Sequence, residues 1–220
     1  MKKAVIINLS PRKTGTSMML ANRCQTFLSS RDYQAEILHL YPNLKNLNPL
    51  LVAINDAQTI IMVGPSYIDT YPADTVYFLE ELEKNQDVLH GQGLYGIIQG
   101  GMPYVHTHES GLNMLELFAG DYDLSYKGGF VIGMGAMLNG QPLDKLLNGK
   151  KVEQGFGLFL ENVAKHEISP PTLYHHAQLR MPGMVYYLMA KMINRKIDKQ
   201  RREKGIGDQA KSPYENPEIN

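Results

Sequence analysis

Five short runs of apolar, mostly β-branched residues set the limits on what this chain can become. Residues 3–9, 59–64, 94–99 and 129–133 are continuous in their apolar character and too short for helices. Runs of that length belong to strands buried on both faces, as in a parallel sheet. A fifth run, residues 34–40, alternates instead and reads as a strand near a sheet edge. Between the runs, apolar residues recur at three- and four-residue steps, which predicts helices over 16–30, 50–58, 73–85, 107–119 and 151–165. Val76, Leu79 and Leu82 form the expected inner stripe of the third. Strands alternating with helices imply right-handed crossovers and a parallel sheet covered on both sides. Five strands without an internal repeat suggest the doubly wound order 2-1-3-4-5. In such a sheet, ligands sit beyond the carboxyl ends of the strands, at the switch point beside the first and third.

Polar loops fall at that mouth. The first strand empties into Ser10-Pro11-Arg12-Lys13-Thr14-Gly15-Thr16-Ser17, after which Met18, Met19, Leu20, Ala21, Cys24, Phe27 and Leu28 make a helical stripe. The first turn of a helix carries N–H groups without partners and about half a positive charge. A phosphate can take those donors, helped by hydroxyls at positions 10, 14, 16 and 17, by a glycine that lets the backbone approach, and by two cations on the rim. Neither Gly-x-x-x-x-Gly-Lys-Ser/Thr nor Gly-x-Gly-x-x-Gly occurs, so hydroxyl recognition of a monophosphate end is favoured. The alternative is a strand followed by a helix capped by serine and threonine, with no ligand. The second loop, Pro65 to Pro72, offers Tyr67 as a flat stacking surface, with Tyr71 as a second ring nearby. The third, Gly100-Gly101, has no side chains to block approach. Phosphate at the first loop and a planar ring between the other two describe a mononucleotide; a packed tyrosine and an ordinary tight turn are the alternatives for the last two.

Ser10 to Ser17 after an amino-terminal strand, then Gly64-Pro65-Ser66-Tyr67 before Pro72-Ala73, then Gly100-Gly101, resemble the flavodoxin-like NAD(P)H-dependent FMN reductase family, including its iron–sulfur flavoprotein branch, over residues 1–165. The resemblance implies an α/β, flavodoxin-like, doubly wound five-stranded sheet. Carried onto this chain, it gives Ser10, Arg12, Thr14, Gly15, Thr16 and Ser17 to the FMN phosphate. Pro65, Ser66, Tyr67 and Ile68 would line the ring, and Gly100 and Gly101 would contact the isoalloxazine edge. It also implies hydride transfer from NADPH or NADH through flavin N5 to a small-molecule electron acceptor: a quinone, a nitro or azo compound, or free flavin. No side chain need act as acid or base. The alternative is a flavodoxin-like nucleotide-binding protein or electron carrier without turnover; such carriers are strongly acidic, whereas this chain balances 22 basic against 22 acidic residues. The family's iron–sulfur branch places cysteines between the second and third strands, and residues 41–58 hold none, so that activity is excluded. Where the family commonly shows a bulky aromatic and a helical lysine, this chain has Ile68 and an acidic helix over 73–85.

A length of 220 residues suits one domain, expected over 1–168, and an extension over 169–220. Zero net charge gives no field toward nucleic acid, and no such partner is expected. No apolar run reaches the roughly 18 residues of a membrane span or forms a secretory core, which predicts a cytoplasmic protein. The single cysteine, Cys24, reads as a packing residue. His106-Thr107-His108-Glu109 has metal-ligand types at a spacing that shares no helix face, so no metal is expected. No Gly-x-Ser-x-Gly elbow is present for a hydrolase triad. Near the end, Met181, Met184, Val185, Leu188, Met189, Met192, Ile193 and Ile197 make an apolar stripe on a helix beginning near Pro182. Seven cations between Lys191 and Lys204 face two anions there. The favoured reading packs this helix on its own core or on a partner subunit, which together with the resemblance suggests a homodimer; contact with a membrane surface is the lesser reading. Residues 207–220 are polar, contain Pro213 and Pro217, and are expected to be loose.

Overall fold

A computed structural model describes residues 2–180 and 182–205. The chain divides into two units, Met1–Arg180 and Met181–Asn220. The first contains β1 (Lys2–Asn8), α1 (Thr16–Ser29), β2 (Tyr33–His39), α2 (Leu40–Asn43), α3 (Asn48–Asp56), β3 (Thr59–Pro65), α4 (Ala73–Lys84), β4 (Gln92–Gln99), α5 (Glu109–Asp121), β5 (Leu124–Ile132) and α6 (Gly149–Lys165). All four strand pairs are parallel, in the order β2-β1-β3-β4-β5. This is the expected flavodoxin-like arrangement. Every residue of β3 and β4 is buried, because helices cover both faces of the central strands.

α1 and α6 pack together on one side of the sheet, while α3 and α5 lie against β1 and against β4 and β5. Under α6 the core is aromatic. The Phe130 ring lies 5.3 Å from Phe156, 5.8 Å from Phe159 and 6.2 Å from Tyr174, in edge-on or tilted geometries, and Tyr95 meets Phe159 edge-on at 6.0 Å. Edge-on and tilted pairs place the positive rim of one ring against the negative face of the next.

Three expectations need correction. Val76 is 40% exposed; Leu79 and Leu82 lie on the inner face of α4 as expected, joined there by Thr75 and Phe78 in place of Val76. The first unit does not close at residue 168. Ser169 donates its amide to the Lys127 carbonyl of β5 at 2.7 Å, Leu179 to Gly133 just past β5 at 3.0 Å and Arg180 to Leu147 just before α6 at 2.9 Å, so the chain stays bonded to this unit as far as Arg180. Tyr71 is not a ring for a ligand. It is fully buried, its hydroxyl donates to the Ile97 carbonyl at 3.1 Å, and its ring occupies the space that a Cβ on Gly64 would need, at 2.7 Å. That packing requires glycine at 64.

The second unit contains α7 (Gly183–Glu203), which starts directly after Pro182. The stretch 207–220, expected to be loose, lies outside the described residues.

Replacing Tyr71 by Phe removes one buried hydrogen bond and no ring packing. Stability should fall by about 1 kcal/mol, read as a lower urea midpoint at unchanged slope.

Candidate functional site

Three loops leave the carboxyl ends of β1, β3 and β4, and each meets the mouth differently. In the first, the Ser10 amide donates to Asn8 Oδ1 at 3.0 Å, and Ser10 Oγ accepts the Arg12 amide at 3.2 Å. Ser10 therefore closes a local turn and is buried. Arg12, Lys13 and Thr14 are exposed. Gly15 sits just before α1 with φ 119°, a conformation that L side chains rarely adopt. No side chain caps α1, and among the described residues none accepts from the amides of residues 13–18. The donors expected of a helix start are thus present and unspent.

The hydroxyls are only partly so. Thr16 Oγ1 donates to the Gly135 carbonyl at 2.9 Å and receives the Gly140 amide at 3.4 Å. Ser17 Oγ accepts from Gln99 Nε2 at 3.4 Å, which leaves its own proton uncommitted. Of the four hydroxyls assigned to a phosphate, Thr16 spends its proton on the protein, Ser10 and Ser17 each accept one protein N–H and keep their own proton, and Thr14 is exposed.

The second loop is a tight turn. Pro65 ends β3, the Ser66 amide donates to the Gln99 carbonyl at 2.7 Å, and the Tyr67 amide donates to the Thr70 carbonyl at 2.7 Å. Ile68 and Asp69 between them have φ of 52° and 71°. Asp69 tolerates the left-handed region; a β-branched isoleucine there is strained. Ile68 is also 95% exposed and Tyr67 is 47% exposed, so both present their side chains at the mouth. Ser110 donates its hydroxyl to the Asp69 carbonyl and holds the turn on α5.

In the third loop the two glycines part company. Gly100 donates its amide to Ile132 at 3.2 Å, and its carbonyl receives Ala136 at 3.2 Å. A Cβ on Gly100 would lie 2.2 Å from the buried His108 ring. Gly100 is a packing glycine, and its N–H is not available to a ligand as expected. Gly101 is exposed, with open space where a Cβ would stand. His108 Nε2 meets the Met102 carbonyl at 3.1 Å, which also takes the Met134 amide at 2.9 Å.

A fourth loop, after β5, was not anticipated. Gly133 lies so close to loop three that a Cβ would stand 2.1 Å from the Pro103 carbonyl, and Gly140 comes within 3.5 Å of the Gly15 backbone by the same measure. Met134 and Asn139 are both left-handed. The glycine pair at 133 and 135 and the Asn139-Gly140 step were the available turn signals. Gln99, also not anticipated, ends β4 buried at the centre of the four loops. Its Oε1 and the nearby Ser66 Oγ are buried without a partner. A recess of about 480 Å³ lies between Thr14, Met18 and Asn139, and another of about 330 Å³ between Ser10, Lys13, His39 and Tyr41. Loop one stands as a ridge between them.

Burial lowers the His39, His108 and His166 pKa values from their ordinary range, with Lys13 adding repulsion at His39. Burial pushes the Cys24 thiol up to about 12, so it stays protonated among its apolar neighbours. Among the described residues, no cluster of three or more His, Cys, Asp or Glu side chains is placed to hold a metal.

Two measurements follow from this geometry. Because these three histidines bind protons more weakly folded than unfolded, stability should fall as the pH drops from neutral through about 6.5 towards the lowered folded values. His108→Gln should flatten that slope in urea titrations across the range. Ile68→Gly removes the left-handed strain and should raise stability by about 1 kcal/mol, read as a higher urea midpoint.

No family model and no curated protein matches the sequence. Solved structures do match. An NADH:FMN oxidoreductase in its apo form aligns with a TM-score of 0.60 at 19% identity, covering 80% of this chain and 95% of that one. An oxidoreductase from Corynebacterium diphtheriae aligns at 0.58 and 12% identity, over 77% and 98%. An NADPH-quinone reductase from P. pentosaceus aligns at 0.53 and 13% identity, over 74% and 98%. At these identities the likeness establishes the fold: the chain is flavodoxin-like.

Proposed function

We propose that this chain is an FMN-dependent NAD(P)H oxidoreductase acting on a small acceptor. One observation carries the reading: a helix start with unspent amides stands at the switch point, beside buried, unpartnered Gln99 Oε1 and Ser66 Oγ. Buried polar atoms are normally paired, so two orphans beneath one mouth fit a polar ligand. The named activities of the structural neighbours support the same class, as oxidoreductases of FMN and quinone.

In this reading the amides of residues 13–18, the Ser17 and Thr14 hydroxyls and the Arg12 guanidinium would hold the phosphate. Neutralising a dianion needs this many donors, and charge-assisted bonds are roughly twice as strong as neutral ones. Thr16 acts indirectly, tying the fourth loop to the helix start so that the cradle keeps its shape. Tyr67 and Ile68 would flank the ring from one side, and Gly101 leaves its amide open on the other. FMN held there would supply the redox chemistry of an oxidoreductase that uses NADPH or NADH and a quinone, nitro or azo compound or flavin as acceptor. No side chain at the mouth is needed as a proton donor. The protein's part is to bind, orient and exclude water.

Titration of the purified chain with FMN, followed by flavin fluorescence, tests the reading. Saturable binding followed by NADPH- or NADH-dependent bleaching is expected. Ser17→Ala and Arg12→Ala should each weaken FMN by about 1 to 3 kcal/mol. Thr16→Val should lower the melting temperature as well as weaken FMN. Absence of saturable binding, or affinity unchanged by Ser17→Ala and Arg12→Ala, places the phosphate elsewhere and overturns the assignment.

A further inference from the structure

α7 is built in two halves. Residues 183–193 carry Met184, Leu188, Met192 and Ile193 with a single charge, Lys191. Met184, Leu188 and Met192 follow one another at four-residue steps along one side of the helix, and with Ile193 they are 77%, 57%, 65% and 49% exposed. Residues 194–204 carry six cations against Asp198 and Glu203. Lys199 reaches Glu203 at 3.8 Å, one turn away, and the half remains strongly positive. Exposed apolar surface is therefore concentrated in the first half of the helix and positive charge in the second, where Ile197 is the one exposed large apolar side chain among the described residues.

We propose that α7 is an interfacial helix whose partner is an anionic phospholipid surface. The apolar half is about 16 Å long, too short to cross a hydrocarbon core of about 30 Å; no described helix is long and apolar enough to do so. It is long enough to lie in the boundary between headgroups and acyl chains, with the basic half on the headgroups. A second copy of α7 fits less well. Parallel pairing sets six cations against six, and antiparallel pairing sets each basic half against an apolar one. A nucleic acid would satisfy the basic half alone and leave the apolar residues in water. Only a bilayer surface offers anions and an apolar medium in adjacent layers.

Flotation of the full chain with vesicles of phosphatidylcholine and phosphatidylglycerol in equal parts, against phosphatidylcholine alone, tests this. Recovery should be about tenfold higher with the anionic vesicles and should fall as salt is raised. Leu188→Glu with Met192→Glu should abolish flotation, and so, independently, should Arg195→Glu with Lys196→Glu, with the melting temperature unchanged in both. Equal recovery with neutral vesicles, or full recovery of the Leu188→Glu, Met192→Glu variant, overturns the proposal. So does a chain that ignores vesicles and sediments as a dimer dispersed by that variant, assigning the face to a second copy. A chain that ignores vesicles but binds duplex DNA overturns it too.

Discussion

A helix that begins directly after a buried parallel strand must leave its first amides unpaired, and this constraint organises the mouth of the sheet. β1 is covered on both sides, so the chain can turn only at its carboxyl end, where Gly15 supplies the one backbone conformation that lets α1 start at Thr16. No side chain caps the helix, although three hydroxyl residues stand within the first turn or just before it. The cost of uncapped amides is offset where an anion or water takes the place of a cap. Everything around the ridge follows from keeping that helix start open and rigid together.

Rigidity comes from the fourth loop. Thr16 hydrogen-bonds Gly135, Gly140 lies close to Gly15, and Gly133 packs on the Pro103 carbonyl with no room for a Cβ, so loops one, three and four are tied to one another. His108 extends the lock by filling the space over Gly100 and holding Met102. Burial favours the neutral imidazole there, because it penalises the imidazolium. A site tied this way holds its donors in place before any ligand arrives, which reduces the ordering cost of binding.

The sheet order and the position of the mouth were legible in the sequence, because continuous apolar runs and helical stripes are one-dimensional signals of burial. The ends of β3 and the start of α1 fell within a residue of their expected places for the same reason. Individual roles were less so. Tyr71 looked like a ligand ring and is a core residue, since exposure depends on which side of a turn a side chain leaves. Gly100 looked open and is filled by His108, from a segment whose approach no local pattern records. Gln99, the orphaned residue at the centre, reads in sequence as one polar position at a strand end.

The hydroxyls show the limit most clearly. Serine and threonine at a strand-to-helix turn have one chemistry, a short donor and acceptor, and it serves a phosphate oxygen and a backbone carbonyl equally well. Thr16 and Ser17 are adjacent, similarly buried and indistinguishable by spacing. What separates them is the hundred-degree step of the helix, which turns Thr16 toward the fourth loop and Ser17 toward Gln99. One hydroxyl is thereby used up in building the cradle, and the other keeps its proton for whatever the cradle holds. Division of labour between neighbours of the same type is decided by the loop that arrives from the far end of the sheet, more than a hundred residues away in the chain.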